Sequence, residues 1–424
     1  MVEGYSLNGS NTLKLRSLLI IAMFFLCARN GYAVEDWSVS GFASLGIARL
    51  HHADGEFWGI EDEWDSEADT ILGVQVQGPL ADHWLLTAQF IVPGYTYDDR
   101  YHPFETQLEW FFLSYQGAGN IRYRAGRMRL PFYFYSESLN VGFSYPWVRP
   151  PVDVYTLALS PHGTFEGVDV NLGYDLWDAE LEWQIFAGNT EGSFSGFTVK
   201  AEPAIGIVTT LRWDEWTLRN NLSFFQTTID SEPFSLVASG FEQLAQSNPT
   251  FEGIAELFSL DEKWMNYNGL ALLWDKDNWS IVAETYYIVG SNEGLSSDLT
   301  GWYVSFQYQF DKFLPYLVFG GYDNELKSDI ESAIQRTYAD IPAGFDPALD
   351  GLREGGLVIA DSLSSSQVSY TAGVRYDLYE NMDIKFEYEY LYFPSGRTGE
   401  VFFEGIDNPP NHVSITSIVI DVVF

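Results

Sequence analysis

Hydrophobic and polar residues alternate along much of this chain. In "MDIKFEYEYLYF", an apolar or aromatic residue stands at almost every second position, between acidic residues and a lysine. A two-residue period predicts a β-strand with one apolar and one polar face. The pattern recurs in "SYTAGVRYDL", "LEWQIFAG" and "WSIVAETYYIV". These predicted strands reach about ten residues, the length of a tilted strand that crosses a bilayer, whereas strands of globular proteins average about five or six.

The segments that connect the predicted strands alternate in length. Short polar turns follow one strand of each pair, namely "QGAGN", "DLWDA", "WDEW", "DKDN", "FDKF" and "LYEN". Long acidic stretches follow the other strand, at residues 93–103, 190–203, 229–263, 324–365 and 394–411. Short turns at one rim and long loops at the other are typical of outer-membrane barrels, whereas a soluble β-sandwich has no such rule. We therefore predict an all-β fold, a transmembrane antiparallel β-barrel of about sixteen strands with short periplasmic turns and long extracellular loops.

Aromatic residues support the membrane assignment. Trp84, Trp216, Trp279 and Phe313 come just after short turns, where an interfacial aromatic girdle is expected. In "TSIVIDVVF", alternating hydrophobic residues run to Phe424. An ordinary edge strand could end in the same way, but its edge would be left exposed, whereas a closed barrel pairs it.

The composition excludes several classes of protein. With 46% hydrophobic and 17% aromatic residues, the chain is not disordered despite a net charge of −37. The acidic balance excludes nucleic acid as a partner, because phosphate binding needs basic residues. Lys14 and Arg16 precede the apolar run "SLLIIAMFFLCA" and the small residues of "GYA", an order that predicts a secretory signal peptide over residues 1–33. A single barrel domain then covers residues 34–424, and the one cysteine, Cys27, lies in the signal peptide.

Two stretches resemble the porins of Gram-negative bacteria. "VSGFASLGIARL" resembles their first strand, and "IRYRAGRMRLPF" with the following proline- and aromatic-containing segment resembles their fifth strand and third loop. The resemblance covers nearly all of the predicted mature chain. It implies a barrel in the bacterial outer membrane, surrounded by lipid and lipopolysaccharide, that passes small hydrophilic solutes and assembles as a homotrimer.

In the porin family, the third loop folds into the barrel and narrows the pore. The equivalent segment here is residues 131–163, which contain "VGFSYPWVRPPVDVY". It differs from the best-known members in carrying Pro146, Pro150 and Pro151 and in lacking their acidic-Phe-Gly-Gly signature. Prolines fix the backbone and remove hydrogen-bond donors, which suits a loop packed against a wall without ladder bonds.

Four arginines lie on the predicted fifth strand. Arg122 and Arg124 share one face of a regular strand, and Arg127 and Arg129 share the other. An arginine that faces lipid near the bilayer midplane costs about 2–4 kcal/mol. We predict a bulge at Gly126 that turns all four arginines towards water. Without such a bulge, the second pair must lie near the rim.

The phases of other strands predict further inward charges, both basic and acidic. The acidic ones are Glu109, Asp169, Glu182, Glu284, Glu387 and Glu389. An arginine wall opposite acids of an inserted loop would orient polar solutes in a transverse field. Equally, the arginines can pair with lumen carboxylates for a purely structural reason. The predicted pore-lining or constriction residues are Arg122, Arg124, Arg127, Arg129, Glu137, Arg149, Asp153, Arg212, Arg219, Arg375 and Lys385.

The sequence contains no recognisable catalytic or metal-binding motif. A hydrolase needs a nucleophile beside a base such as histidine, and none of the six histidines lies in such a motif. His51 and His52 are adjacent and point oppositely on a strand, and no third metal ligand is evident. We therefore predict no enzyme activity, no metal and no cofactor.

Three functions are compatible with this reading. The first is a porin for passive diffusion of small hydrophilic solutes and ions. The second is a substrate-specific channel, in which arginines and aromatics form a binding track for small anions or carboxylates. The third is a structural or adhesive barrel that acts through its long loops.

Overall fold

The protein forms one closed β-barrel in the computed structural model. The predicted signal peptide, residues 1–33, lies outside the residues that the structure describes. The described residues are 37–53, 55–96, 98–155, 163–194, 196–258, 260–291, 294, 296–326, 330–362, 364–394, 403–404 and 410–424.

Sixteen antiparallel strands of the described chain make up the barrel, and this confirms the predicted fold and strand number. Each strand pairs with its neighbours in the chain, and the last strand pairs with the first. The strands are β1 (Ser38–His51), β2 (Ile71–Ala81), β3 (Trp84–Pro93), β4 (Gln107–Gln116), β5 (Ile121–Arg129), β6 (Thr164–Leu176), β7 (Ala179–Phe194), β8 (Phe197–Trp213), β9 (Trp216–Ser231), β10 (Leu260–Lys276), β11 (Trp279–Val289), β12 (Ser297–Tyr308), β13 (Phe313–Leu326), β14 (Ser365–Tyr379), β15 (Met382–Tyr392) and β16 (His412–Val423).

Short turns join the strands at one rim, as predicted. All six predicted short turns fall between paired strands. The prediction of a long loop over residues 190–203 is wrong, because β7 and β8 run through this segment and leave two residues between them. A register shift between Ala201 and Ala204 accommodates Pro203 within the hairpin. This segment resembles a loop in sequence, because strands that extend beyond the lipid-facing part of the barrel do not need an apolar face.

The outer face of the barrel is apolar and its inner face is polar. In β15, Phe386 is 47% exposed on the outside, whereas the adjacent Lys385 and Glu387 are buried. This is the reverse of a soluble protein, and it is the arrangement that a lipid solvent requires. Trp84, Trp216, Trp279 and Phe313 are exposed beside the short turns, where an aromatic girdle was predicted. No helix among the described residues is long and apolar enough to span a membrane.

The connections at the other rim carry four helices among the described residues. A short helix α1 (Val152–Tyr155) lies between β5 and β6, and the longer ones are α2 (Glu232–Ser247), α3 (Ile330–Thr337) and α4 (Pro347–Ser362). A small three-stranded sheet of Glu56–Phe57, Ile60–Glu61 and Phe403–Glu404 also lies in connecting segments. Single 3₁₀ turns cover Ser136–Ser138, Gly142–Ser144, Pro249–Phe251 and Ala255–Phe258.

The helices α2, α3 and α4 pack together with the turns at 249–251 and 255–258, and we call this unit the rim cluster. It has its own apolar core, which includes Phe234, Phe241, Phe258, Ile334 and Ile359. The long acidic stretches predicted at 229–263 and 324–365 do connect strands, and the structure adds that they contain packed helices. Apolar residues at helical spacing, such as Phe234, Val237, Phe241 and Leu244, give these segments a face that only packing can bury.

Candidate functional site

The connection between β5 and β6 folds into the barrel. We call its described residues, 130–155 and 163, the inner loop. Near its start, the carbonyl oxygen of Pro131 accepts hydrogen bonds from Arg219 of β9 (2.8 Å) and Asn221 (3.0 Å). Further along, the Nε1 atom of Trp147 donates to Ser305 of β12 at 3.0 Å. The inner loop therefore runs across the interior along the inner faces of the later strands.

Buried carboxylates on the wall and in the loop fix this path. Glu284 of β11 accepts hydrogen bonds from the backbone of Phe134 at 2.8 Å and from the Tyr155 hydroxyl. Asp153 of α1 accepts from Gln367 at 2.8 Å and from Ser369, both on β14. Charge-assisted hydrogen bonds of this kind are stronger than neutral ones. They supply partners for loop groups that have left water.

Cations of the wall also hold the inner loop. The Nζ atom of Lys385 donates to the carbonyl oxygens of Gly142 (2.6 Å) and Trp147 (2.8 Å), and it lies 2.9 Å from Asp421. Arg375 donates to the carbonyl of Phe143 at 2.8 Å, and its guanidinium also lies over the ring of Phe143.

These contacts correct part of the predicted pore lining. Lys385 and Asp153 are both 0% exposed, so they do not face a water-filled passage. Arg219 and Arg375 are directed at backbone carbonyls of the inner loop. Strand phase placed Arg219, Arg375 and Lys385 in the interior, where the inner loop covers them, and Asp153 belongs to the inner loop itself. They anchor the loop.

Aromatic side chains fill the space between the loop and the wall. Trp147 is 1% exposed and stacks on Tyr145, and Phe132 stacks on Tyr267 with ring centroids 4.8 Å apart. Aromatic pairs with this geometry contribute about 0.5–1.5 kcal/mol beyond their burial. The interior beside β7 to β13 is thus a packed core.

The predicted bulge at Gly126 is absent. Gly126 pairs with Phe112 on β4 and with Gly167 on β6, without a register shift in either ladder. Its φ of +136° and the close approach of Phe111, whose carbonyl oxygen would lie 2.3 Å from a Cβ, explain the glycine. The irregularity lies on β4, where Glu109 has no partner between Trp110 and Leu108 in the ladder with β3.

The second arginine pair consequently lies at the end of β5, as the alternative without a bulge required. The register of β4 with β5 ends at Phe111 and Arg127. Beyond that point, Arg129 forms an ion pair with Glu109 at 2.7 Å. Arg127 lies 3.5 Å from Glu166, a side chain that is 76% exposed.

Two cavities lie along the first strands. The upper cavity, about 300 Å³, is near the long-loop rim and is lined by Arg127, Arg129 and Arg149 among others. The lower cavity, about 220 Å³, is near the short turns and is lined by Arg122 and Arg124. Both contact β2 to β5, so they are arranged one above the other along the same wall.

The remaining predicted residues lie apart from the upper cavity. Glu137 is 3.0 Å from Arg124, which also pairs with Asp169 at 2.5 Å. Arg212 projects from β8 near the short-turn rim, 3.1 Å from Glu182.

Sequence reasoning missed several residues of the upper cavity, including Asp69 and Arg100. Asp69, in the connection between β1 and β2, pairs with Arg149 of the inner loop at 2.6 Å. Arg100 pairs with Asp98 at 2.6 Å in the connection between β3 and β4. Asp69 stands in the acidic stretch "EDEWDSEAD", where nothing local distinguishes it from its neighbours.

The described residues contain no group of three or more His, Cys, Asp or Glu side chains that could hold a metal ion. His51 lies 3.1 Å from the hydroxyl of Thr416, and His52 lies 3.2 Å from that of Ser414. Both histidines thus have neutral partners on β16.

Comparison with known proteins identifies the fold. No protein-family model matches the sequence, and no curated protein matches it. OmpF of Salmonella typhi, in a complex with daunomycin, superposes with a TM-score of 0.55 at 10% identity over 92% of this chain and 97% of that chain. The outer membrane channel DcaP of Acinetobacter baumannii gives 0.54 at 13% identity over 93% and 99%. An anion-selective porin of Comamonas acidovorans gives 0.51 at 10% identity over 92% and 99%. The chain therefore has the fold of the outer-membrane porins, and this fold with its apolar outer face points to the bacterial outer membrane.

Proposed function

We propose that this chain is an outer-membrane channel for the passive diffusion of small hydrophilic solutes and ions. The observation that carries the proposal is the division of the interior. The inner loop and its aromatic core occupy the side of the later strands, and the two cavities lie against β2 to β5. Water and solutes would pass through this narrow polar region, with no covalent chemistry.

The proposal is tested by conductance of the purified, folded protein in planar lipid bilayers. Wild type should give discrete channel openings. Deletion of residues 138–150 removes the central part of the inner loop and should raise the single-channel conductance. Heat-modifiable migration on a gel, with mostly β circular dichroism, would show that the variant has folded. Absence of conductance from folded wild type would contradict the proposal.

We also propose that the protein is a homotrimer surrounded by outer-membrane lipid and lipopolysaccharide. Support comes from the resemblance to porins and from β4 and β5, two of the shortest barrel strands, with 10 and 9 residues. Their outer face carries exposed Phe111 and Tyr123, which suits either lipid or a second copy. Chemical cross-linking in native outer membranes should give a band of three chains, and a monomer alone would contradict the proposal.

A further inference from the structure

The upper cavity is lined by hydrogen-bond donors that lack partners. Five buried donor atoms at its wall have no hydrogen-bond partner among the described residues. They are Nε2 of Gln107, the Nε atoms of Arg127, Arg129 and Arg149, and the hydroxyl of Tyr133. A buried donor without a partner is unfavourable, so such a concentration in one cavity is complementary to a ligand rich in acceptors.

The carboxylates that line the cavity are already paired. Asp69 lies 2.6 Å from Arg149 and Asp98 lies 2.6 Å from Arg100. Glu109 forms an ion pair with Arg129 at 2.7 Å, although its buried Oε1 atom accepts no hydrogen bond among the described residues. Arg149 is further compensated by Glu389 at 3.7 Å.

Arg127 differs from the other three arginines of the cavity. Its nearest carboxylate is Glu166, at 3.5 Å, and Glu166 is solvent-exposed and does not line the cavity. The attraction for a negative charge therefore centres on Arg127 and on the neighbouring donors of Gln107 and Arg129.

Part of the remaining lining is apolar. The inner loop contributes Leu130, Phe132, Leu139 and Val148, and β3 contributes Ile91. A volume of about 300 Å³ lies at the small end of the usual range for ligand pockets. Donors without partners together with apolar side chains suit a small molecule with one anionic end and an apolar body.

We propose that the upper cavity is a binding site for small monocarboxylates with an apolar or aromatic body, so that their passage is saturable. The proposal rests on the proposed channel function and names the solute class that the channel favours. A carboxylate would accept charge-assisted hydrogen bonds from Arg127 and Arg129, and its body would lie against the inner loop.

Benzoate is the probe, and its uncharged isostere benzamide is the control ligand. Titration calorimetry on the detergent-folded full chain at low salt should show saturable binding of benzoate. Benzamide should bind about tenfold or more weakly, because it forgoes the charge-assisted bonds. Equal binding of the two ligands, or no binding of benzoate, would overturn the proposal.

Three variants locate the site. Arg127→Gln should weaken benzoate binding about tenfold, and Tyr133→Phe, which removes only a hydroxyl, should weaken it by a smaller factor. The matched control is Arg212→Gln, because Arg212 is another interior arginine but does not line the cavity. An equal loss in the Arg212 variant would overturn the assignment. Tyr133→Phe keeps the test decisive if the Arg127 variant does not fold.

Bilayer currents separate this inference from the proposed function. Benzoate should reduce the wild-type current saturably, and the Arg127→Gln channel should need about tenfold more benzoate for the same reduction. A conducting channel that binds no benzoate would refute the carboxylate site and leave the channel function intact. Saturable benzoate binding by a folded but non-conducting protein would refute the channel function alone.

Discussion

The inner loop and the rim cluster are both inserted between strands, yet opposite interactions hold them. The inner loop is fixed by charged and polar side chains of the barrel wall, such as Lys385, Glu284 and Ser369. The rim cluster is held by apolar side chains of the connections themselves, with Phe241 and Ile334 completely buried. Both segments connect strands, but polar contacts with the barrel wall stabilise the inner loop and apolar packing stabilises the rim cluster.

The reversed polarity of a membrane barrel explains the difference. Its inner wall is polar, so a segment that docks there must offer carbonyl and N–H groups to charged partners. Above the rim there is no wall, and a segment must build a core of its own or remain disordered. Apolar residues at helical spacing in a long connection therefore indicate that it packs above the rim and not on the inner wall.

The largest expected effect comes from removing the charge of Lys385, which holds the inner loop to the barrel wall. Lys385→Met removes the donor that bridges two loop carbonyls and leaves Asp421 buried beside an uncharged neighbour. Removal of one partner of a buried pair costs about 3–5 kcal/mol. We expect the inner loop to undock, which limited proteolysis of the folded barrel would detect.

Lys276→Met is the matched control for this anchor. Lys276 pairs with Glu215 at 2.7 Å at the exposed short-turn rim, where an ion pair contributes little to stability. Proteolysis of the inner loop that is equally slow in both variants would contradict an electrostatic anchor.

A smaller, local effect is expected in the rim cluster. Ile334→Ala removes a fully buried side chain from α3 and should destabilise the cluster by about 2–4 kcal/mol. Because the cluster has its own core, cleavage should accelerate only in residues 232–258 and 330–362, with an unchanged barrel melting temperature. Glu331→Ala, at an exposed position of the same helix, is the control. A lowered barrel melting temperature would show that the two regions are coupled.

The smallest effect concerns pH at the inner loop. Burial raises the pKa of Asp153 to about 6, against the opposing hydrogen bonds from Ser369 and Gln367. Since the pKa is raised on folding, the docked loop is most stable below about pH 4 and loses stability as the pH rises to about 6.

Asp153→Asn should abolish this pH dependence. We expect a gain of about 1 kcal/mol at pH 7, because the uncharged amide is cheaper to bury but accepts one hydrogen bond fewer. Hydrogen exchange of residues 142–155 between pH 4 and 7 measures the effect, after correction for intrinsic exchange rates. A wild-type loop whose corrected protection does not change over this range would contradict the argument.

The sequence predicts the barrel because strand alternation and turn chemistry are local. The face of Phe386 and the positions of Trp84 and Trp279 follow from neighbouring residues alone. The partners of Asp153 do not, since Ser369 is 216 residues away. The bulge was predicted on β5, but it lies on β4. The alternation of side chains around Gly126 says nothing about how the neighbouring strand β4 is paired.

The pairing of β1 with β16 sets an order for assembly. Ser44 and Asp421 are hydrogen bonded across 377 residues of chain, and the backbone of Gly41 exchanges hydrogen bonds with Phe424. Until both ends have met, two strand edges offer unpaired N–H and C=O groups to any other chain. Closure at such long sequence separation is slow, because the loop entropy is lost before the contacts form. The intermediate that is exposed to aggregation is therefore an almost complete barrel in which β1 and β16 are not yet paired.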